Sequence, residues 1–371
     1  CECVVVTLFY RRDFLFSIYT KYFTLSKGTK KVNKNVSKKI THINFILVLL
    51  IVILHSNCLR FISDNNFMIT KIYKIISVMC DASVPAFFIL SAYLFYRNFD
   101  FSKIKEKYKS RFFSLVIPYF FWSIFFLIYY ELICLIPKVN TLFNNTFELG
   151  ISHIFQNILM ANCAEGMWFV RDLIIYSFLA PVIYFIMKKS KKLNYIIMLI
   201  CLTVNLIFKF GYSNPIFWLP IYLFGANMGI HSKDYDIKEN IVKNKKSKLP
   251  IFIILYILFA IIVSTFEETS RIYYIYRMLS PIILLAIFDM LSLYKYKIYN
   301  VEKISFFIYC IHLPVIKVVR KILFIILGYN SYISIIVYIL TTILTVRLIQ
   351  LISKIINKML PKFYKVITGS R

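Results

Sequence analysis

About ten apolar stretches of about 20 residues, separated by more polar segments, constrain this chain more than any other feature of its 371 residues. A stretch of that length crosses the roughly 30 Å hydrocarbon layer of a bilayer as a helix, which satisfies its own backbone polar groups where no water can. The stretches lie near 44–58, 72–96, 112–137, 168–187, 193–209, 214–230, 250–266, 272–293, 304–326 and 331–353. None shows the period-2 alternation of a membrane barrel. With 60% hydrophobic residues, 17% charged residues and a mean hydropathy of +0.71, an ordinary soluble domain is excluded. The fold expected is all-α: one polytopic transmembrane bundle of about ten helices.

The net charge of +28 would suit a nucleic-acid partner, but its placement along the chain points elsewhere. Loops alternate in Lys and Arg content: 31 of these residues lie in 21–40, 97–111, 188–192, 231–249, 294–303 and 354–371. The intervening loops hold six: Arg60, Lys71, Lys74, Lys138, Lys209 and Arg271. This is the positive-inside bias of an even number of spans, with both termini cytoplasmic and no nucleic-acid partner expected.

Three segments follow: an N-terminal cytoplasmic or interfacial extension at 1–40, a membrane domain at 41–355 and a basic cytoplasmic tail at 356–371. The run "VVVTLFYRRDFLF" near the start carries Arg11, Arg12 and Asp13, too much charge for a clean span, and no small-residue cleavage site follows it. The eight cysteines have no metal-type spacing beyond Cys1-Glu-Cys3 and read mostly as small apolar fillers; Cys58, Cys80, Cys134 and Cys163 fall toward the outer side, where a disulfide is conceivable.

An ionised side chain in hydrocarbon costs at least about 2.5–3.5 kcal/mol, so such residues face the bundle interior or a wet cavity. With the orientation above, His55, Glu131, Arg171, Asp172 and Arg277 fall in the outer half, and His312 near the middle of the ninth stretch. Similar depth suggests one cavity opening outward. Arg171, Asp172 and Glu131 equally fit snorkelling or helix capping, and His312 a bond to a neighbouring helix. His55 stands out because a neutral imidazole accepts a proton near pH 7 without a large shift, which suits a general base. No Gly-rich phosphate loop, Ser-His-Asp set or cluster of metal ligands accompanies it.

Six segments in order carry a resemblance: "INFILVLLIVILHS" at 43–56, "VPAFFILSAYLF" at 84–95, "YKSRFFSLVIPYFFW" at 108–122, "MWFVRDLIIYSFLAPVI" at 167–183, "WLPIYLFGANMG" at 218–229 and "ISFFIYCIHLPVI" at 304–316. From about Thr41 to about Ser353 the chain resembles the acyltransferase 3 family of polytopic bacterial membrane O-acyltransferases. The resemblance implies transfer of an acyl group, commonly acetyl from acetyl-CoA, to a hydroxyl of an extracytoplasmic carbohydrate, a cell-envelope glycan or a lipid-linked sugar. The enzyme would lie in the plasma membrane, with acyl-CoA as a substrate and no bound cofactor.

The family's first-span motif is an arginine eleven residues before the histidine; here the pair is Asn44 and His55. The "SG" that the family often shows is Ser91-Ala92. Asn44 can hydrogen-bond a phosphate or amide but brings no charge, so the expectation is either weaker donor binding or binding carried by another cation, with Lys38, Lys39 and Arg111 as the candidates. The roles implied are His55 as base, Arg171, Trp168 or Arg277 as oxyanion donor, and Asp172 or Glu131 as the group that orients the ring or stabilises the imidazolium; His312 joins Trp168, Glu131 and Arg277 at the substrate. A polar-lined passage from the Lys38, Asn44 and Arg111 side to His55 is expected. The bulk features equally fit an exporter or flippase of glycan intermediates, and Asn44 leaves room for an inactive relative.

Overall fold

A helix, or two helices joined at a break, lies on each of the ten apolar stretches in a computed structural model, which describes residues 34–61, 66–97, 99–134, 150–164, 166–231 and 248–369. In chain order the helices are α1 (Lys34–His55), α2 (Phe67–Asp81), α3 (Ser83–Tyr96), α4 (Ile104–Arg111), α5 (Ile117–Cys134), α6 (Ile151–Met160), α7 (Trp168–Phe178), α8 (Ala180–Met187), α9 (Lys191–Phe208), α10 (Pro215–Ile230), α11 (Leu249–Val263), α12 (Arg271–Met290), α13 (Ser305–Leu327), α14 (Ser331–Met359) and α15 (Pro361–Ile367). Among the described residues there is no strand. Phe112–Val116 is a π-helical turn that joins α4 to α5.

Six of these rods are long and apolar enough to cross a membrane: α1, α2 with α3, α4 with α5, α9, α12 and α14. A seventh is added if α7 and α8, bent by 61° at Leu179, form one span. Helices α10 and α11 are apolar but only 16 and 15 residues long. Helix α13 has 23 residues, yet Lys317, Arg320 and Lys321 fall in every window of membrane length within it. The chain is an all-helical, multi-pass membrane protein.

Local chemistry explains the ends. The side chains of Asn66, Asn214, Ser270 and Asn330 accept the backbone N–H of Ile69, Ile216, Tyr273 and Ile333, capping α2, α10, α12 and α14. All four caps sit in loops poor in Lys and Arg. At the break between α2 and α3 the carbonyls of Val78, Met79 and Cys80 accept the hydroxyls of Tyr276, Tyr256 and Ser83. That is how a broken helix remains tolerable at membrane depth.

Helices α3 and α10 cross at close range. A Cβ on Gly225 would run into the Ile89 carbonyl, and one on Gly229 would lie 2.6 Å from the Tyr93 oxygen. The four-residue spacing of these glycines is the small-residue pattern that lets membrane helices touch through their backbones. Beside the crossing, Phe88 packs edge-on to Phe169 at 4.6 Å and stacks with Trp218 at 5.7 Å.

The boundaries expected at 40 and 355 both fall inside helices, α1 and α14. Past Met359 the chain turns back: the Trp122 indole donates to the Ile367 carbonyl at 3.0 Å, and Gly369, at φ +67°, lies so close to the Ser114 backbone that no Cβ fits. Tyr364 is buried, and burial holds its hydroxyl above the ordinary tyrosine range, protonated beside Ser353 at 2.7 Å. Lys358, Lys362 and Lys365 stay exposed. The run at 4–16 lies outside the described residues. Cys58, Cys80 and Cys163 form no disulfide among the described residues.

Candidate functional site

His55 is the last residue of α1, at the end opposite the lysines of its first turns, and it is exposed. Beside it stands His312 of α13, with ring centroids 5.3 Å apart and planes tilted by 46°. His312 is only 1% exposed. Its Nδ1 lies 2.6 Å from the Tyr309 carbonyl, and its Nε2 is buried with no hydrogen-bond partner among the described residues. The Tyr309 hydroxyl in turn donates to the Gly166 carbonyl, in the loop leading into α7. A Cβ on Gly166 would sit 3.9 Å from His312 Cε1, so the loop closes over the buried ring.

The helix end at His55 is held from α13 as well. Arg320 Nη1 donates to the carbonyls of His55 at 3.1 Å and Asn57 at 2.9 Å, and its guanidinium carbon lies 4.3 Å over the Phe61 ring. The His55 carbonyl belongs to the unsatisfied C-terminal turn that every helix leaves behind, and the Asn57 carbonyl lies two residues beyond it.

The other charges expected near His55 have partners of their own. Arg171 Nε and Nη2 lie 3.0 and 2.9 Å from Asp172 Oδ1, Nη1 donates to the Met160 carbonyl at 3.3 Å, and Nη2 also to the Ser213 carbonyl. Arg171 thereby ties the end of α6 and the start of α10 to α7. Asp172 is fully buried; its bonded partner is Arg171 and not a histidine, while its second oxygen has no hydrogen bond among the described residues. Trp168 stacks on Trp218 at 5.9 Å with an 18° tilt.

Arg277 Nε donates to Asp81 Oδ2 at 2.6 Å, beneath the break between α2 and α3, with Tyr273 4.5 Å below the guanidinium. Glu131 is half-buried on α5, next to Tyr130, whose hydroxyl accepts Lys317 Nζ at 3.1 Å. Arg171 and Arg277 are thus engaged by Asp172 and Asp81, and among the described residues His312 is the expected site residue seen beside His55.

At the lysine-rich end, Lys39 is 5% exposed and forms a buried ion pair with Asp289. His42 Nδ1 lies 2.6 Å from Glu302. Lys38 and Asn44 are half-buried. Arg111 Nη2 donates to the Ser91 carbonyl at 3.3 Å and its guanidinium lies 4.9 Å over Phe95; Lys107, one turn earlier, donates to the Phe95 carbonyl at 2.8 Å. Two cations of α4 thus point at α3, one of them at the serine singled out by the sequence. The expected polar passage does not run along α1: between Asn44 and His55 its buried face is Leu47, Val48, Ile51 and Val52.

Sequence reasoning missed Asp81, Asp289, Lys317 and Arg320. The signals were present: Asp81 is a carboxylate inside a 72–96 apolar stretch, followed by Pro85, and "KVVRK" at 317–321 places three cations within the ninth stretch.

Apolar helices of membrane length with two histidine rings together at the end of the first define a membrane-embedded helical protein. The family model described as acyltransferase domain, Acyl_transf_3, matches residues 38–354, and the chain belongs to this acyltransferase 3 family. It is an acyltransferase, which decides between the enzyme and the exporter. No curated protein and no solved structure matches it.

Proposed function

We propose that the protein moves an acyl group, acetyl from acetyl-CoA, to a hydroxyl of a carbohydrate or other cell-envelope acceptor on the far side of the plasma membrane. The observation that supports this reading most is the exposed His55 beside the buried His312 at the end of α1 away from the lysines. The topology proposed has ten spans, with the Lys34 end of α1 and the Met359 end of α14 on the cytoplasmic side, as the Lys and Arg bias of the loops favours.

In the reaction, a hydroxyl is a poor nucleophile until a base takes its proton as the C–O bond forms. His55 accepts that proton. The thioester C–S bond breaks, and the proton passes from His55 to the departing thiolate, giving free CoA and an ester. The donor's phosphates rest near Arg111 and Lys107, whose charges replace the missing cation at Asn44. Lys39 contributes less, because Asp289 already matches its charge. The acyl arm runs on the Ser91 side of α3, since the α1 face is apolar.

The test is ester formation on isolated surface glycan from cells that make the parent chain or His55→Ala, with both found in the membrane at equal level. Ester with the parent and a loss of about 10²-fold or more with His55→Ala supports the reading. Equal ester from both removes His55 as base.

A further inference from the structure

We propose that His312 is the positioning residue for His55: its bare Nε2 accepts the ring N–H of His55 and so fixes which nitrogen of His55 faces the exposed side. The inference rests on His55 being the base.

A carbonyl oxygen only accepts, so the 2.6 Å contact with Tyr309 puts the proton of His312 on Nδ1. In the neutral ring Nε2 is then a lone pair. That atom is buried without a hydrogen-bond partner among the described residues, on a side chain 1% exposed. A buried acceptor left without a donor costs about 1–3 kcal/mol, and a replacement without polar atoms would avoid that cost. Two imidazoles sharing a linear N–H···N bond have centroids about 5 Å apart, given a donor–acceptor distance near 2.9 Å. The rings of His55 and His312 are separated by 5.3 Å, so rotation of the exposed ring about its own side-chain bonds completes the contact.

The support behind His312 is rigid. The Tyr309 carbonyl holds Nδ1, the Tyr309 hydroxyl is anchored on Gly166, and the Gly166 loop packs against Cε1. Among the described residues, the Arg320 guanidinium is bound to the His55 backbone carbonyl, and the His312 ring lies beside the His55 ring. When His55 takes the acceptor's proton, its bond to His312 becomes a charge-assisted one, stronger than before. A base held by a neutral acceptor keeps one tautomer through the cycle.

The experiment compares His312→Leu and His312→Gln, each in the parent and in the His55→Ala background. Glutamine presents a carbonyl oxygen near the place of Nε2; leucine presents nothing. Expected are a loss of about 10–100-fold in kcat for leucine with KM for acyl-CoA little changed, most of it restored by glutamine, and no further loss from leucine once His55 is alanine. A leucine effect of the same size in both backgrounds overturns the pairing, as does a glutamine variant no better than leucine. A second readout needs no acyl transfer: carbethoxylation of His55 by diethyl pyrocarbonate, read by peptide mass, slows several-fold in His312→Leu and not in His312→Gln. If that pattern holds while the parent makes no ester, the pairing stands and the acyl-transfer role of His55 falls; if the rates do not differ, the pairing falls whatever the ester assay shows.

Discussion

Arg320 closes the open end of the helix that carries His55, donating to the His55 carbonyl at 3.1 Å from a helix 265 positions further along the chain. One guanidinium nitrogen bridges two carbonyls while the plane lies over Phe61. Lysine has the charge but not the planar fork. In Arg320→Lys we expect kcat to fall about tenfold with KM for acyl-CoA unchanged, and stability to drop by about 1–3 kcal/mol as carbonyls lose their donor. Steady-state assay with thermal unfolding in detergent checks both, and an unaltered kcat would show that the helix end holds His55 without help.

The Asp81–Arg277 pair is nearly buried, so losing one partner is worse than losing both. Asp81→Asn and Arg277→Met should each cost about 3–5 kcal/mol, and the double variant distinctly less than their sum. Additive losses in a chemical-denaturation cycle would mean that the two residues do not act as a pair.

Gly225→Ala puts a methyl group where the Ile89 carbonyl lies, on backbone that cannot rotate away. The two helices must separate, at a cost of about 1–3 kcal/mol, with Phe88 losing its packing between Phe169 and Trp218. A lower melting temperature than for a control such as Gly211→Ala, where a Cβ meets nothing within 4 Å, is the result to look for.

Donor binding is expected to respond to charge at the lysine-rich end. Arg111→Met should raise KM for acyl-CoA about tenfold or more, and Asn44→Arg should lower it, both leaving the dependence on His55 intact. An unchanged KM in both variants would move the nucleotide away from α4 and α1.

Helix positions were legible because an apolar run of membrane length has one stable backbone solution. His55 was legible too, as an imidazole at the end of such a run. The partners were not. Lys39 reads as a free cytoplasmic cation until Asp289, 250 positions away, is seen beside it, and Arg277 reads as a loose cavity charge until Asp81 appears 196 positions earlier. Pairing across that much chain leaves no local pattern. Similar depth for six charges suggested one cavity, but depth fixes a single coordinate, and Arg171 proved to be occupied by Asp172 and two carbonyls. The family resemblance, read over about 41–353, coincides with the matched range of 38–354.

The contact between Trp122 and Ile367 has a consequence for how the protein is made. The two residues are 245 positions apart, and Gly369 must reach Ser114 across a similar span of chain. The rod of α4 and α5 therefore leaves the ribosome and enters the bilayer long before the segment that covers its π-turn exists. Until then the Trp122 indole N–H needs a provisional partner in lipid headgroups or the insertion machinery. A stop codon after Met359 would preserve His55, His312 and every rod able to cross the membrane, yet deliver to quality control a bundle whose third rod never receives its cover.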